Sequence, residues 1–320
     1  MLNIIFLDLI VEVKMHSAQI IIFLQKIQNP ILNTIMNYIT LIGYEMGVTI
    51  ILCIYLFGFS FHKGFFVLQS SFLTFVSTDI LKNGFMLKRP FLMDNNVLNL
   101  DKSMIKEASL GSVSYSFPSG HSSGITVVFG SISLSVKKRW FYTLSAILIF
   151  LVCFSRIYLG VHYLQDVLVG ISLGIINILL YYIPLKNYIQ NNKNFPFNLT
   201  LTNRGRISYF IFFIFLPFLL IFIPIQFDKG QVGFLIGANL GYFLLGRNLK
   251  NSYLEYKIKI VPVILRIIIG FAFYMILRLG LSFLFNLIFP DKLIEIVYFR
   301  VIRYFLVGLF TVGLSIICFL

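Results

Sequence analysis

The chain has 320 residues, enough for two soluble domains, but 58% are hydrophobic and 12% charged, against about 45–50% and 25% in soluble domains. That composition, with a mean hydropathy of +0.91, excludes an ordinary soluble protein and predicts an all-α, polytopic membrane helical bundle. The net charge of +14 sits in short clusters between apolar runs, where it anchors loops at anionic headgroups, so a nucleic-acid partner is not expected.

Residues 1–30 read as an amphipathic interfacial segment: Asp8, Glu12, Lys14 and Lys26 interrupt the apolar pattern, no basic n-region or small-residue cleavage site marks a signal peptide, and Asn29-Pro30 ends the run. Apolar helices are expected at about 31–59, with a break near Gly43, then 64–81, 120–136, 140–159, 162–183, 208–226, 231–247, 260–280 and 296–320. A short re-entrant piece at 281–289 before Pro290 brings the expected number of membrane segments to eight to ten. The Asn-rich stretch 185–207 reads as a linker that separates a core at 31–184 from a carboxy-terminal module at 208–320. Cys53, Cys153 and Cys318 lie in apolar runs without metal-ligand spacing and read as small core hydrophobes. Arg300 and Arg303 read as helix-end anchors or as outer contacts to a headgroup.

Lys63, Lys137-Lys138-Arg139, Lys186, Lys193, Arg204, Arg206, Arg247, Lys250, Lys257 and Lys259 fall on the side opposite the long 82–119 connection. The positive-inside bias makes their side cytoplasmic and the 82–119 side extracytoplasmic, in a plasma (inner) membrane. A reporter fused after Leu110 and active only in the cytoplasm would overturn that orientation.

Chemistry concentrates in three segments expected at one membrane face. Lys82 and Arg89 are two cations seven residues apart, followed by Pro90, which disfavours helix at Arg89. Pro118-Ser119-Gly120-His121 precedes an apolar helix, where free backbone N–H groups and the positive dipole end suit a phosphate. Arg156 adds a planar donor fork, and His162 with Asp166, four residues on, makes an imidazole that a carboxylate can orient as a nucleophile. Phosphoryl transfer needs positioning and charge neutralisation above all, and these residue types supply both. No cluster of Asp, Glu and His with metal-ligand spacing is present, so neither metal nor other cofactor is expected.

These segments resemble the signatures K-x6-RP, PSGH and SR-x5-H-x3-D of the type 2 phosphatidic acid phosphatases, a superfamily that includes lipid phosphate phosphatases and vanadium haloperoxidases. They fall at Lys82/Arg89/Pro90, Pro118–His121 and Ser155/Arg156/His162/Asp166. The resemblance covers roughly 31–184. It implies His162 as nucleophile, His121 as acid/base, Asp166 as orienting carboxylate, and Lys82, Arg89, Ser119, Gly120 and Arg156 as the phosphate cradle. The implied activity is metal-independent hydrolysis, through a phosphohistidine, of a lipid-linked phosphate: phosphatidate, phosphatidylglycerophosphate, an isoprenyl diphosphate or a sphingoid phosphate. Its implied partners are the phosphorylated lipid and the bilayer, with homo-oligomerisation left open. Phosphate transfer to an acceptor hydroxyl, or binding of phospholipids by a transporter or scaffold without catalysis, are the alternatives to test.

Overall fold

The computed structural model describes residues 18–111, 113–190, 203–225, 227–246, 260–289 and 297–318. Among the described residues the secondary structure is helical, without an extended sheet. A helix over 18–25, α1, leads to α2 (Pro30–Leu41), whose first turn is set by Pro30 and by the Asn29 side chain accepting from the Leu32 N–H. A bend of 51° separates α2 from α3 (Glu45–Cys53), which continues as a π-helical stretch to Phe59. Then come α4 (Phe61–Phe85), α5 (Lys102–Ser109), α6 (Gly120–Val136), α7 (Arg139–Tyr158) and α8 (Leu164–Gln190). The carboxy-terminal part holds α9 (Asn203–Phe210), running through an irregular helical stretch into α10 (Leu216–Leu219), followed by α11 (Lys229–Gly246), α12 (Ile260–Ile288) and α13 (Val297–Cys318).

The elements follow the apolar runs closely, with two differences. Residues 281–289 do not form a separate re-entrant piece: α12 runs unbroken to Ile288. Gly280 does not interrupt it, because a helix surrounded by lipid satisfies its backbone internally and tolerates glycine there. The expected eight to ten membrane segments also come down among the described residues. Four segments are long and apolar enough to cross a bilayer, Lys63–Leu92, Arg139–Tyr158, Leu164–Ile183 and Ile260–Ile288, and a fifth if the bent pair α2–α3 counts as one span. Helix α6 has only 17 residues and is rich in serine and glycine, and α11 carries Gln231 and Asn239 among its glycines. The chain is a helical membrane protein.

Two compact units are present, residues 1–48 with 77–177 and residues 49–76 with 178–320, so α3, α4 and α8 contribute to both. In the first, Met36, Met104, Tyr158, Leu159 and Val161 form a buried cluster that packs α2 and the 82–119 connection against the end of α7. Gln25 reinforces it by donating to the carbonyls of Leu98 and Tyr158 while its Oε1 accepts from the Leu98 N–H. In the second, Gly233, Gly237 and Gly241 of α11 lie on the backbone of α13; a Cβ at Gly237 would collide with the Phe305 carbonyl oxygen. That close approach gives dispersion contact in place of a hydrophobic driving force. Arg300 pairs with Asp228 at 2.9 Å and Arg303 donates to the Ser282 hydroxyl. The proposed interfacial segment lies outside the described residues up to residue 17, as does the linker over 191–202.

Candidate active site

All the candidate site residues belong to the first unit. Helix α4 ends at Phe85, and Arg89 is extended (φ −74°, ψ 155°), as Pro90 requires. Arg89 therefore does not share a helix face with Lys82. It reaches inward from the loop, 2% exposed, with Nε and Nη2 donating to the carbonyl and hydroxyl of Ser114. Its Nη1 donates to the Val161 carbonyl and lies 3.2 Å from His162 Nε2. A guanidinium only donates, so Nε2 is the acceptor and the His162 proton sits on Nδ1.

His162 lies in the turn between α7 and α8 rather than on a helix with Asp166. Its Nδ1 is 3.7 Å from Asp166 Oδ2 and 3.5 Å from the Ser116 hydroxyl, which donates to that same oxygen. Asp166 also accepts from the Tyr163 N–H at 3.0 Å, and the Asp166 carbonyl receives the Ser119 N–H at 2.9 Å. Ser116 is thus a neighbour of this pair that the i, i+4 spacing did not suggest. Burial first, then the charges of Arg89, Arg156, Lys82 and His121, hold the His162 imidazole well below its ordinary value. It is neutral at pH 7, the form that carries a nucleophilic lone pair.

Ser119 is the N-cap of α6, accepting from the Ser122 N–H and hydroxyl, which leaves its own O–H to donate. Gly120 opens the helix, and a Cβ there would lie 3.8 Å from Lys82 Nζ, so the lysine ammonium reaches the start of α6. His121 follows in the first turn, its Nε2 buried without a hydrogen-bond partner among the described residues. Its ring meets that of Tyr44 edge-on, with centroids 4.3 Å apart.

Arg156, at the end of α7, has no exposed surface. Its Nη1 donates to Thr40 Oγ1 at 2.6 Å and to Asp101 Oδ2 at 2.7 Å, while Nε and Nη2 are buried with no partner among the described residues. Asp101 and Tyr44 were not visible as site residues in the sequence: each is one polar residue in a stretch without a repeated spacing. Burial alone pushes the Asp101 carboxyl upward, but the Arg156 charge, the Met104 N–H and the Tyr44 hydroxyl overcome that and hold it below the usual carboxylate range.

Three buried donor-capable atoms, Nε and Nη2 of Arg156 and Nε2 of His121, thus lack partners among the described residues in a region that also holds two further cations and the neutral His162. Buried polar groups are ordinarily satisfied, so the arrangement suits a tetrahedral oxyanion. Among the described residues there is no group of three or more His, Cys, Asp or Glu placed to hold a metal ion.

Residues 63–189 match the PAP2 superfamily, and residues 230–320 match the transmembrane extension of PAP2 superfamily phosphatases. The chain belongs to the PAP2 superfamily. Phosphatidylglycerophosphatase B of Bacillus subtilis (strain 168) is 38% identical over 91 residues, 26% of this chain and 43% of that protein. An undecaprenyl-diphosphatase of Sulfolobus acidocaldarius is 41% identical over 61 residues, 19% of this chain and 29% of that protein. The chain thus spans less than half the length of the curated relatives it matches. The crystal structure of Aquifex aeolicus LpxE aligns with a TM-score of 0.45 and 25% identity, over 52% of this chain and 93% of that one. The PAP2 match contains all eight candidate site residues, and the extension match runs from Gly230 in the first turn of α11 through α13.

Proposed function

We propose that this PAP2 protein is an integral membrane phosphatase that needs no metal and releases phosphate from a lipid-linked phosphate or diphosphate through a phosphohistidine at His162. The observation that carries this reading is the set of buried, unpartnered donor edges on Arg156 and His121 beside a His162 whose Nε2 lone pair is held by Arg89. A phosphoryl group there receives Nε–H and Nη2–H from Arg156, Nζ–H from Lys82, the Ser119 hydroxyl and the first backbone N–H groups of α6. Arg89 transfers its Nη1 contact from Nε2 to a phosphoryl oxygen and so uncovers the nucleophile.

Nε2 of His162 attacks phosphorus, the bond to the leaving oxygen breaks, and His121, held as the imidazolium by the bound phosphate anion, gives that oxygen its proton. Asp166, with Ser116, balances the positive charge that develops on the His162 ring. Water, deprotonated by His121, then attacks the phosphohistidine, releasing inorganic phosphate and restoring both imidazoles. Residues 31–184 form the catalytic core in this reading and 208–320 an accessory membrane module, with the site on the extracytoplasmic face.

An amphiphilic substrate suits a pocket among membrane helices, since its chain stays in lipid while its headgroup meets the cations. The relatives' names support glycerophospholipid phosphates and polyprenyl diphosphates as the first classes to try. The purified protein, assayed in chelator across phosphatidate, phosphatidylglycerophosphate, undecaprenyl diphosphate and a soluble sugar phosphate, is expected to release phosphate from at least one lipid, with inhibition by vanadate. Activity confined to the sugar phosphate, or lost in chelator and restored by a divalent ion, contradicts the proposal. Phosphorylated acceptor in place of free phosphate would make the enzyme a transferase.

A further inference from the structure

The Arg156 guanidinium has two ways to present a pair of N–H groups: end-on, through Nη1 and Nη2, or side-on, through Nε and Nη2. Both hydrogens of Nη1 are committed, one to Thr40 Oγ1 and one to Asp101 Oδ2, so only the side-on edge remains. The Asp101 side chain is 1% exposed, and its charge is placed against the guanidinium where water does not screen it. The same carboxylate accepts the Tyr44 hydroxyl, at 3.0 and 3.2 Å from its two oxygens. Tyr44 lies in the break between α2 and α3; its ring is 5.8 Å from the Arg156 guanidinium carbon and meets the His121 ring edge-on. Asp101 also caps α5, accepting the N–H groups of Ser103 and Met104. One carboxylate therefore ties together the 82–119 connection, the α2–α3 break and the end of α7.

We propose that Asp101 is the positioning residue of the phosphate pocket: it selects the edge of Arg156 that meets the phosphoryl group and, through the Tyr44 hydroxyl, fixes the ring packed against His121. This rests on the phosphatase reading above and adds to it a residue outside the three signature segments. A carboxylate that only held the fold would act on stability alone. One that sets the guanidinium edge acts on oxyanion binding, and only while Arg156 is present.

The test is a double-mutant cycle on the full chain, read by phosphate release and by vanadate inhibition. Asp101→Asn keeps the size and the helix-capping ability of the side chain but removes its charge. It is expected to lower kcat/KM and raise the half-inhibitory vanadate concentration, each about tenfold, with the melting transition retained. In an Arg156→Ala background the same substitution should change kcat/KM by less than about twofold. Parental kcat/KM and vanadate sensitivity in Asp101→Asn, or a full additive loss on top of Arg156→Ala, overturns the proposal. If Asp101→Asn does not fold, Tyr44→Phe decides: it keeps the ring, removes the hydroxyl, and is expected to lower kcat by about threefold or more, whereas unchanged kcat overturns the proposal. Failure of the phosphatase reading looks different, because Arg156→Ala and His162→Ala would then both retain parental activity.

Discussion

In the proposed mechanism the chemistry turns on His162, and the protonation state of that residue follows from its neighbours. A buried imidazole facing Arg89, with Arg156 and Lys82 near, disfavours the imidazolium, so its folded value is depressed. The neutral form is kept as pH falls through the ordinary histidine value of about 6.5, where an exposed histidine charges. The linkage has the matching sign: the stability that this group contributes is present above about pH 6.5 and is lost as pH falls toward its depressed folded value. In the ligand-free protein, the His162 ring resonances at pH 6 should be those of a neutral imidazole protonated on Nδ1, whereas an ordinary histidine would be about three-quarters protonated. A midpoint near 6.5 would contradict this. The signature residues were legible in the sequence because each stands in a fixed local spacing. Asp101, Tyr44, Thr40 and Ser116 were not, because their partners are 46 to 116 residues away and nothing local distinguishes a serine or threonine that completes a site from one that faces lipid.

At the scale of elements, the break between α2 and α3 does more than bend a span. Gly43 and Tyr44, consecutive in the break, both touch His121: a Cβ at Gly43 would lie 2.8 Å from Val152 Cγ1 and 3.0 Å from His121 Cδ2. Neither neighbour can yield easily, since Val152 is buried in α7 and His121 is in the first turn of α6. Gly43→Ala should therefore shift the His121 ring by a few tenths of an ångström and lower kcat about tenfold, with KM changed by less than about twofold. Parental kcat would show that the break is not coupled to the acid. The break itself was legible, since Gly43 interrupts an apolar run. Its contact with His121 was not, because hydropathy gives the length of a helix but not which residue it packs against. The same limit explains the unbroken α12: the apolar residues 281–289 before Pro290 read as a separate re-entrant piece, while the helix needs nothing from its surroundings to continue through Gly280.

For the whole molecule, the composition already required a helical membrane protein, and the three signature segments already pointed to phosphate. What the fold adds is convergence. Four helices and two connections bring three cations, two imidazoles and two carboxylates into one unit. The Arg156–Asp101 pair offsets part of the positive charge there, while the outward edge of Arg156 stays available to an anion. The central claim is that this centre forms a covalent bond to phosphorus. The most direct measurement is alkaline-denaturant quench trapping during turnover of phosphatidylglycerophosphate labelled with 32P in its terminal phosphate, in chelator, followed by peptide mapping at alkaline pH. The account predicts an acid-labile, base-stable label on His162 that is absent from His162→Ala. Turnover without a labelled intermediate, a label on another residue, or parental turnover by His162→Ala would contradict it.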